Sequence, residues 1–447
     1  MRHREYRVPV RTAKGARRLR WPPAPWSYSV CAVGSPARSD RLETSAFAFA
    51  TDLADEGVDT VLDNLQLRGG LSGITPAFVY HAARDVFPHN PRRKVHLLDR
   101  GEFCFRPDPA RYDGLRIQPR VGDLAREHDV LADTCRAAAS RGLAVNAWTV
   151  FLHADRPGEA PDCSPSNAFG DLYPADLCPA NPDVRAYVRA LVADIARYEV
   201  STILAESLHY HGLEHGYHHE RYFIELGPRA RYLLGLCFCE HCLAAARRLG
   251  VDGEGVREQV REELERVFAG EPADAGVAEV GREELAAVAD GELAAYLDVR
   301  AEVVATLAGE ATEVAAANGR RFVFMELAGA AKGYATGRPT GAPAADTAWR
   351  MGVDLAGLQR AGAEVEVLGY AADVDRLRFD LEAYRGALGD CPLAVAMRPS
   401  PPDCVEPENL AAKVRLAREL GVTRVDFYHY GFVRLGALDW IRAAIEA

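Results

Sequence analysis

The sequence predicts an α/β protein, a closed (β/α)8 TIM barrel. Two observations support this prediction: eight short segments rich in β-branched or aromatic residues, and a helix signal after most of them. Alternating strands and helices form parallel sheets, and eight such units are the number that closes a barrel. A doubly wound open sheet is the alternative, but no Gly-rich phosphate-binding motif follows the first predicted strand.

Length and composition fit one large domain. The chain has 447 residues, of which 48% are hydrophobic and 26% charged, so residues 26–447 can form a single barrel with insertions. Basic residues gather before position 21, and we expect residues 1–25 to form a solvated basic arm.

Charge and hydropathy argue against two classes of partner. The net charge of −11 disfavours nucleic acid and anionic membranes, because both attract basic surfaces. No apolar run approaches the roughly 18 residues of a membrane span. We therefore expect a soluble, cytoplasmic protein with neither a membrane nor a nucleic-acid partner. In a reducing cytosol, clustered cysteines predict metal ligands and scattered ones predict buried packing residues.

The first half of the predicted barrel contains four strands. They are residues 26–34, 58–65, 143–151 and 200–206. A helical pattern covers 44–56, and a Pro- and Arg-rich stretch without periodicity, about 69–121, predicts a long insertion between the second and third strands. Helix signals follow over 123–141. Asn181, Pro182 and Asp183 supply the cap, first-turn proline and early acid of another helix.

The second half begins with a helical insertion after the fourth strand, within about 207–317. Ala, Glu, Arg and Leu dominate residues 243–317, which suggests a helical layer and a contact between copies in a homo-oligomer. Regular alternation then returns. The predicted strands are 321–326, 364–370, 392–398 and 422–430, and the helices lie near 346–361, 373–388, 406–420 and from 435.

Polar and aromatic side chains occupy the carboxyl ends of the predicted strands, where barrels carry their functional groups. Their mixture suits a small carbohydrate or glycoside, because aromatic faces pack on sugar rings and polar groups fix hydroxyls. Trp148 or Tyr428 would offer the stacking face, although Asp63 could equally be a structural hydrogen-bond acceptor. The predicted substrate-binding residues are Asp63, Asn146, Trp148, His209, His211, Tyr370, Arg398, Tyr428 and His429.

Two glutamates end neighbouring predicted strands. Glu206 closes the fourth strand and Glu326 the fifth, each after an apolar run. Adjacent barrel strands lie about 4.8 Å apart, so the two carboxyl groups could face one pocket at a separation that glycosidases use. Pairing with an arginine or capping of a helix is the structural alternative for each.

The segment after Glu206 is rich in histidine. Residues 209–220 hold five of the thirteen histidines. They could bind a catalytic metal together with Glu206 or Glu326, bind substrate hydroxyls, or pack as a polar loop. Their spacing matches no metalloprotease motif.

Three cysteines form a C-x-C-x2-C motif. Cys237, Cys239 and Cys242 can converge on a structural zinc ion, which needs a fourth ligand. Cys178 is the favoured fourth ligand, and Cys163, Cys104 and His241 compete with it. Three buried cysteines without metal are the alternative.

The region 177–242 resembles family 42 glycoside hydrolases, the zinc-containing β-galactosidase type, and related glycosidase-like barrels. In that family a C-x-x-x-P segment precedes a helix, a strand ends in the acid/base glutamate, and a C-x-C-x2-C motif binds zinc. Cys178, Pro182 and Glu206 match the first two features, and the three later cysteines match the third. The resemblance implies a zinc-containing glycosidase in which Glu206 is the acid/base.

Two departures leave alternatives open. The family has Asn-Glu at the fourth strand, whereas this chain has Ala205 and Glu206, and its nucleophile lies after the seventh strand, where this chain has Met397 and Arg398. A glycosidase in which Glu326 is nucleophile or second base is therefore the leading hypothesis. The others are a metal-dependent lyase, isomerase or hydrolase using the histidine-rich loop, and a non-catalytic carbohydrate-binding barrel.

Overall fold

A closed ring of eight parallel strands forms the core of the computed structural model, which describes residues 42–98, 101–154, 159–213, 221–271, 280–285, 288–331 and 336–447. The strands in chain order are β1 (Glu43–Ala48), β2 (Gly73–Tyr80), β3 (Ala83–Val86), β4 (Val95–Leu98), β5 (Glu102–Phe103), β6 (Ala144–Val150), β7 (Thr202–Glu206), β8 (Arg321–Glu326), β9 (Glu364–Leu368), β10 (Leu393–Met397) and β11 (Arg424–Phe427). The ring runs β1, β2, β6, β7, β8, β9, β10, β11 and closes because β1 pairs with both β2 and β11. The predicted (β/α)8 barrel is confirmed.

Helices surround this ring. The α-helices are α1 (Ala50–Glu56), α2 (Val58–Asp63), α3 (Asp123–Glu127), α4 (Val130–Ser140), α5 (Pro182–Ile195), α6 (Pro228–Leu234), α7 (Glu240–Arg248), α8 (Gly253–Phe268), α9 (Arg282–Leu285), α10 (Glu292–Ala317), α11 (Ala328–Ala331), α12 (Leu355–Arg360), α13 (Val374–Leu388), α14 (Pro407–Glu419) and α15 (Ala437–Glu446). The predicted cap of α5 is present, since the Asn181 side chain accepts a hydrogen bond from the Asp183 backbone at 2.8 Å. None of the described helices is both long and apolar enough to cross a bilayer.

The first two strands of the barrel are formed by other segments than those predicted. The first strand of the barrel is β1, which overlaps the segment predicted as a helix. The predicted strand 26–34 and the predicted arm 1–25 lie outside the described residues. Residues 58–63 form α2, and a turn of π-helix follows over Asn64–Arg68. The second barrel strand is β2, at the start of the stretch predicted as an insertion.

Two insertions follow the carboxyl ends of barrel strands, one after β2 and one after β7. Between β2 and β6, the antiparallel hairpin β3–β4 packs Ala83 and Leu98 against the residues inside the barrel, so one face of the hairpin lies over its mouth. The helical insertion after β7 is confirmed as α6 to α9, and the long α10 then packs on α5 and β8 as a buried barrel helix.

The barrel interior has a polar layer beneath an aromatic one. Arg424 lies between the carboxylates of Glu366 and Asp426, at 2.6 and 2.5 Å, and all three side chains are buried. In this layer the Thr75 hydroxyl donates a hydrogen bond to the Asp426 carboxylate at 3.1 Å. Above it lie aromatic residues, including Phe47, Phe49, Tyr80, Trp148 and Tyr370. A buried cation between two carboxylates is paired on both sides, which offsets the cost of burying its charge.

Candidate active site

Glu206 points into the barrel at the carboxyl end of β7. Leu204, two residues earlier and on the same face of the strand, belongs to the interior cluster. The indole Nε1 of Trp148 on β6 donates a hydrogen bond to Glu206 Oε2 at 2.5 Å. Burial raises the pKa of Glu206 to about 7, although the Trp148 hydrogen bond and the charge of His153 both lower it. A carboxyl group with this pKa can donate and accept a proton near neutrality.

The residue after Glu206 has an uncommon backbone conformation. Ser207 is buried and has φ of +58°, a left-handed value that side chains other than glycine rarely adopt. Such conformations cluster at functional sites, where the surrounding structure enforces them. Here it turns the chain sharply from the strand into the histidine-containing loop.

Three histidines lie near Glu206, and two of them contact one buried aspartate. His153 Nδ1 lies 2.8 Å from Asp176 Oδ1, and His211 Nδ1 lies 3.2 Å from the same oxygen. The ring of His209 is 4.8 Å from that of His211, and burial lowers the pKa of His209 to about 4. His209 is therefore neutral at physiological pH.

Sequence reasoning missed His153 and Asp176. His153 could have been found, because it stands just beyond the third predicted strand, where barrel loops carry functional groups. Asp176 had no comparable signal, since it lies in an irregular segment before Cys178. Residues 214–220, which hold the other three histidines of the predicted loop, lie outside the described residues.

The aromatic residues at the mouth divide into buried and accessible ones. Trp148 is 1% exposed, with ring contacts to Phe47 at 4.9 Å and Tyr80 at 4.6 Å, so its predicted stacking face is not open. His429 is equally buried, 4.3 Å from the ring of Phe49. Tyr428 keeps partial exposure, and its ring lies 5.4 Å from that of Phe47.

Arg398 lies at the end of β10 with its charge already paired. Its guanidinium binds both carboxylate oxygens of Asp403, at 2.6 and 2.7 Å. Its carbon centre also lies 4.5 Å from the centroid of the Tyr370 ring, whose neighbour across the mouth is Tyr428 at 5.9 Å. The structure thus brings together three predicted substrate-binding residues, Arg398, Tyr370 and Tyr428.

The predicted pair of Glu206 and Glu326 is not formed. Glu326 accepts hydrogen bonds from the Tyr384 hydroxyl on α13 and from the Ala328 backbone at 2.8 Å. Its side chain is 0% exposed and faces the outer helices, whereas Glu206 faces the interior. Side chains at successive positions of a strand point to opposite faces of the sheet. Met325 faces the interior, so the next residue, Glu326, faces outward and cannot form a pair with Glu206. Burial raises the pKa of Glu326 to about 7 as well, but this side chain packs between the barrel and the outer helices and does not face the mouth.

Two predicted substrate ligands lie elsewhere. Asn146 is 1% exposed in the polar layer, where it donates to Thr75 at 3.2 Å, one inward-facing position below Trp148. Asp63 is on α2, not at a strand end, and its exposed carboxylate lies 3.4 Å from Arg141. Neither side chain reaches the mouth.

Four cysteines form a buried cluster at metal-binding distance. The Sγ atom of Cys178 lies 3.9, 3.5 and 3.5 Å from those of Cys237, Cys239 and Cys242, and the Cys237 and Cys242 sulfurs are 3.6 Å apart. Among the described residues, these four cysteines are the potential metal ligands that lie close enough together to bind one ion. His209, His211 and Glu206 do not form such a group. Cys178, and not Cys163, Cys104 or His241, therefore completes the cluster.

Fold and site together define a (β/α)8 barrel with an ionisable carboxyl group at its mouth and a tetracysteine cluster beside it. Among solved structures, the chain is similar to a β-galactosidase from the psychrophilic Marinomonas ef1, at a TM-score of 0.51 and 12% identity. The match covers 91% of this chain but 59% of that one, so this chain spans well under two thirds of that protein.

A second structure, the catalytic domain of a β-amylase from Paenibacillus polymyxa, gives a TM-score of 0.49 and 11% identity over 92% of this chain and 99% of that one. No protein-family model matches the chain, and no curated protein matches it. The β-galactosidase likeness shows the barrel fold alone, and membership of family 42 remains a prediction.

Proposed function

We propose that this protein is a glycosidase-like enzyme in which Glu206 is the general acid/base. The observation that carries the proposal is the interior carboxyl group with a pKa of about 7 at the mouth of the barrel. Cleavage of a glycosidic bond needs a group that is protonated when it meets the leaving oxygen and can then act as a base. The β-galactosidase similarity supports the same reading.

Three of the predicted substrate-binding residues at the barrel mouth would bind the sugar in this proposal. Tyr428 would pack against the ring of a small carbohydrate or glycoside, and Arg398 and His211 would donate hydrogen bonds to its hydroxyls. The buried Trp148, His209 and His429 would instead hold these groups in place. In this arrangement Trp148 orients the carboxyl group that transfers the proton.

A structural metal forms part of the proposal. Four thiolates bound to zinc at about 2.3 Å each would lie about 3.8 Å apart in a tetrahedron, close to the sulfur separations of 3.5 to 3.9 Å here. Cys178, Cys237, Cys239 and Cys242 would hold the ion. Such a site leaves no ligand position open, so zinc would fix local structure and take no part in bond cleavage.

One observation favours a second function. Because Glu326 faces the outer helices, the described residues do not supply the predicted partner carboxylate. A barrel that binds carbohydrate without cleaving it would need no such partner. Both functions predict sugar binding at the mouth, and turnover distinguishes them.

The test is hydrolysis of a panel of aryl glycosides and oligosaccharides by the wild type and two matched variants. Glu206→Gln should lower kcat by at least about 100-fold while leaving binding intact, as expected for loss of a general acid. Glu326→Gln should retain turnover, because its side chain faces away from the interior. Unchanged turnover in Glu206→Gln would refute the assignment. Binding without any turnover would establish the second function.

A further inference from the structure

A buried cation lies beside the cysteine cluster. Arg300 on α10 is 2% exposed, and its Nη1 donates to the Tyr232 hydroxyl at 3.0 Å. In the part of the chain that the structure describes, no carboxylate pairs with it, and its Nε atom has no hydrogen-bond acceptor. An uncompensated buried charge is strongly unfavourable, so this guanidinium requires a negative group nearby.

The cluster can provide that negative group. A divalent cation held by four thiolates leaves two net negative charges in a buried site, which in turn requires compensation. Arg300 and the cysteines thus carry complementary charge. The residue between them is Tyr210, whose ring lies 4.5 Å below the guanidinium and whose hydroxyl lies 3.2 Å from Cys242 Sγ.

Tyr210 also belongs to the loop that follows Glu206. It stands between His209 and His211, its carbonyl contacts His209 Nδ1 at 2.9 Å, and its backbone N–H donates to Met351 at 3.1 Å. The Tyr210 side chain therefore contacts the cluster, and the Tyr210 backbone carbonyl contacts the His209 imidazole.

We propose that Tyr210 and Arg300 support the metal centre and couple its occupancy to the loop that carries His209 and His211. The Tyr210 hydroxyl donates a hydrogen bond to the Cys242 thiolate, and Arg300 neutralises the charge of the filled cluster. This inference rests on the metal assignment in the proposed function. Tyr210 is a positioning residue, since it contacts sulfur and backbone and not the substrate.

The experiment uses the full chain with cobalt(II) in place of zinc, because thiolate-to-cobalt charge-transfer bands report on each sulfur ligand. Tyr210→Phe keeps the ring beneath Arg300 and removes only the hydroxyl. Its charge-transfer band should move to longer wavelength, and a chelator should remove the metal about tenfold faster. Tyr296→Phe is the matched control, because the Tyr296 hydroxyl donates to the Cys237 carbonyl at 2.7 Å and not to sulfur.

Hydrogen exchange of the metal-loaded proteins measures the coupling. Amides of residues 207–213 should exchange about tenfold faster in Tyr210→Phe than in the wild type or in Tyr296→Phe. An unchanged band and unchanged exchange in Tyr210→Phe would overturn the inference while leaving the metal assignment intact. Failure of the wild type to bind one cobalt per chain would overturn both.

Arg300 is tested by a conservative pair. Arg300→Lys keeps the positive charge and should retain metal within about threefold of the wild-type chelator rate. Arg300→Met removes the charge at similar length and should release metal at least tenfold faster. Equal release from both variants would overturn the assigned role of the charge, and circular dichroism identifies any variant that fails to fold.

Discussion

The hydrogen bond between Trp148 and Glu206 makes a quantitative prediction about the proton affinity of the candidate acid. Replacing Trp148 by Phe removes the indole N–H that donates to Glu206 Oε2 and leaves that oxygen without this hydrogen bond. A hydrogen bond to a charged group contributes about 1.5–3 kcal/mol, and 1.4 kcal/mol corresponds to about one pH unit. The pKa of Glu206 should therefore rise above 7 by about one to two pH units.

The assay is a pH titration followed by NMR of protein labelled with carbon-13 at the glutamate carboxyl carbon. The Glu206 resonance is assigned by its loss in Glu206→Gln. Trp349→Phe is the control, because Trp349 packs on Tyr232 in the helical layer and should leave the Glu206 pKa unchanged. A pKa of Glu206 that stays near 7 or falls in Trp148→Phe would refute the reasoning, since the hydrogen bond would then not favour the charged form.

Three further substitutions have expected outcomes. Glu326→Gln should stabilise the protein at pH 8 by up to about 3 kcal/mol and leave it unchanged near pH 4 in urea unfolding. The raised pKa of this acid means that the folded state loses stability as pH rises from 4.5 to about 7. Cys178→Ala should abolish metal binding, measured by elemental analysis, and lower Tm. Gly352→Ala should cost about 2–3 kcal/mol in the same unfolding assay, because φ is +71° and the new Cβ would lie 2.9 Å from Tyr210 Cδ2.

Matched variants decide whether these effects are specific. Cys163→Ala should keep the metal, and loss of metal there would contradict the ligand set. Gly362→Ala has a similar φ of +74°, but the atom nearest to its new Cβ would be Thr312 Cγ2 at 3.8 Å, so the substitution should cost only about 1 kcal/mol. Equal losses at the two glycines would mean that Tyr210 does not enclose position 352. A Glu326→Gln variant less stable at pH 8 would contradict the raised pKa.

The sequence predicted the barrel and six of its strands but misread the first two. Val58, Val61, Leu62 and Leu65 recur at helical spacing, but the β-branched side chains of Val58 and Val61 favoured a strand prediction and concealed that period. The true strand β2 contains Pro76, a residue that usually argues against a central strand, next to a register shift between Ala77 and Val79. Tertiary pairing overrode both local signals.

The orientation of Glu326 could not be predicted because its strand is apolar on both faces. Buried parallel strands lack the alternation that marks an inner side. In the structure Ala205 pairs with Phe324, so Glu206 aligns with the inward-facing Met325, and Glu326 lies one residue beyond. The cysteine ligands, in contrast, were predictable because their spacing itself specifies convergence.

The seam of the barrel has a consequence for how the chain folds. Ser45 of β1 pairs with Asp426 of β11, so strands almost the whole chain apart must meet before the ring is complete. Contacts of such long sequence separation slow folding, and during synthesis the N-terminal part emerges well before its partner. Until β11 is translated, β1 and β10 each present an unpaired edge, and we expect nascent chains truncated before residue 424 to aggregate or bind chaperones.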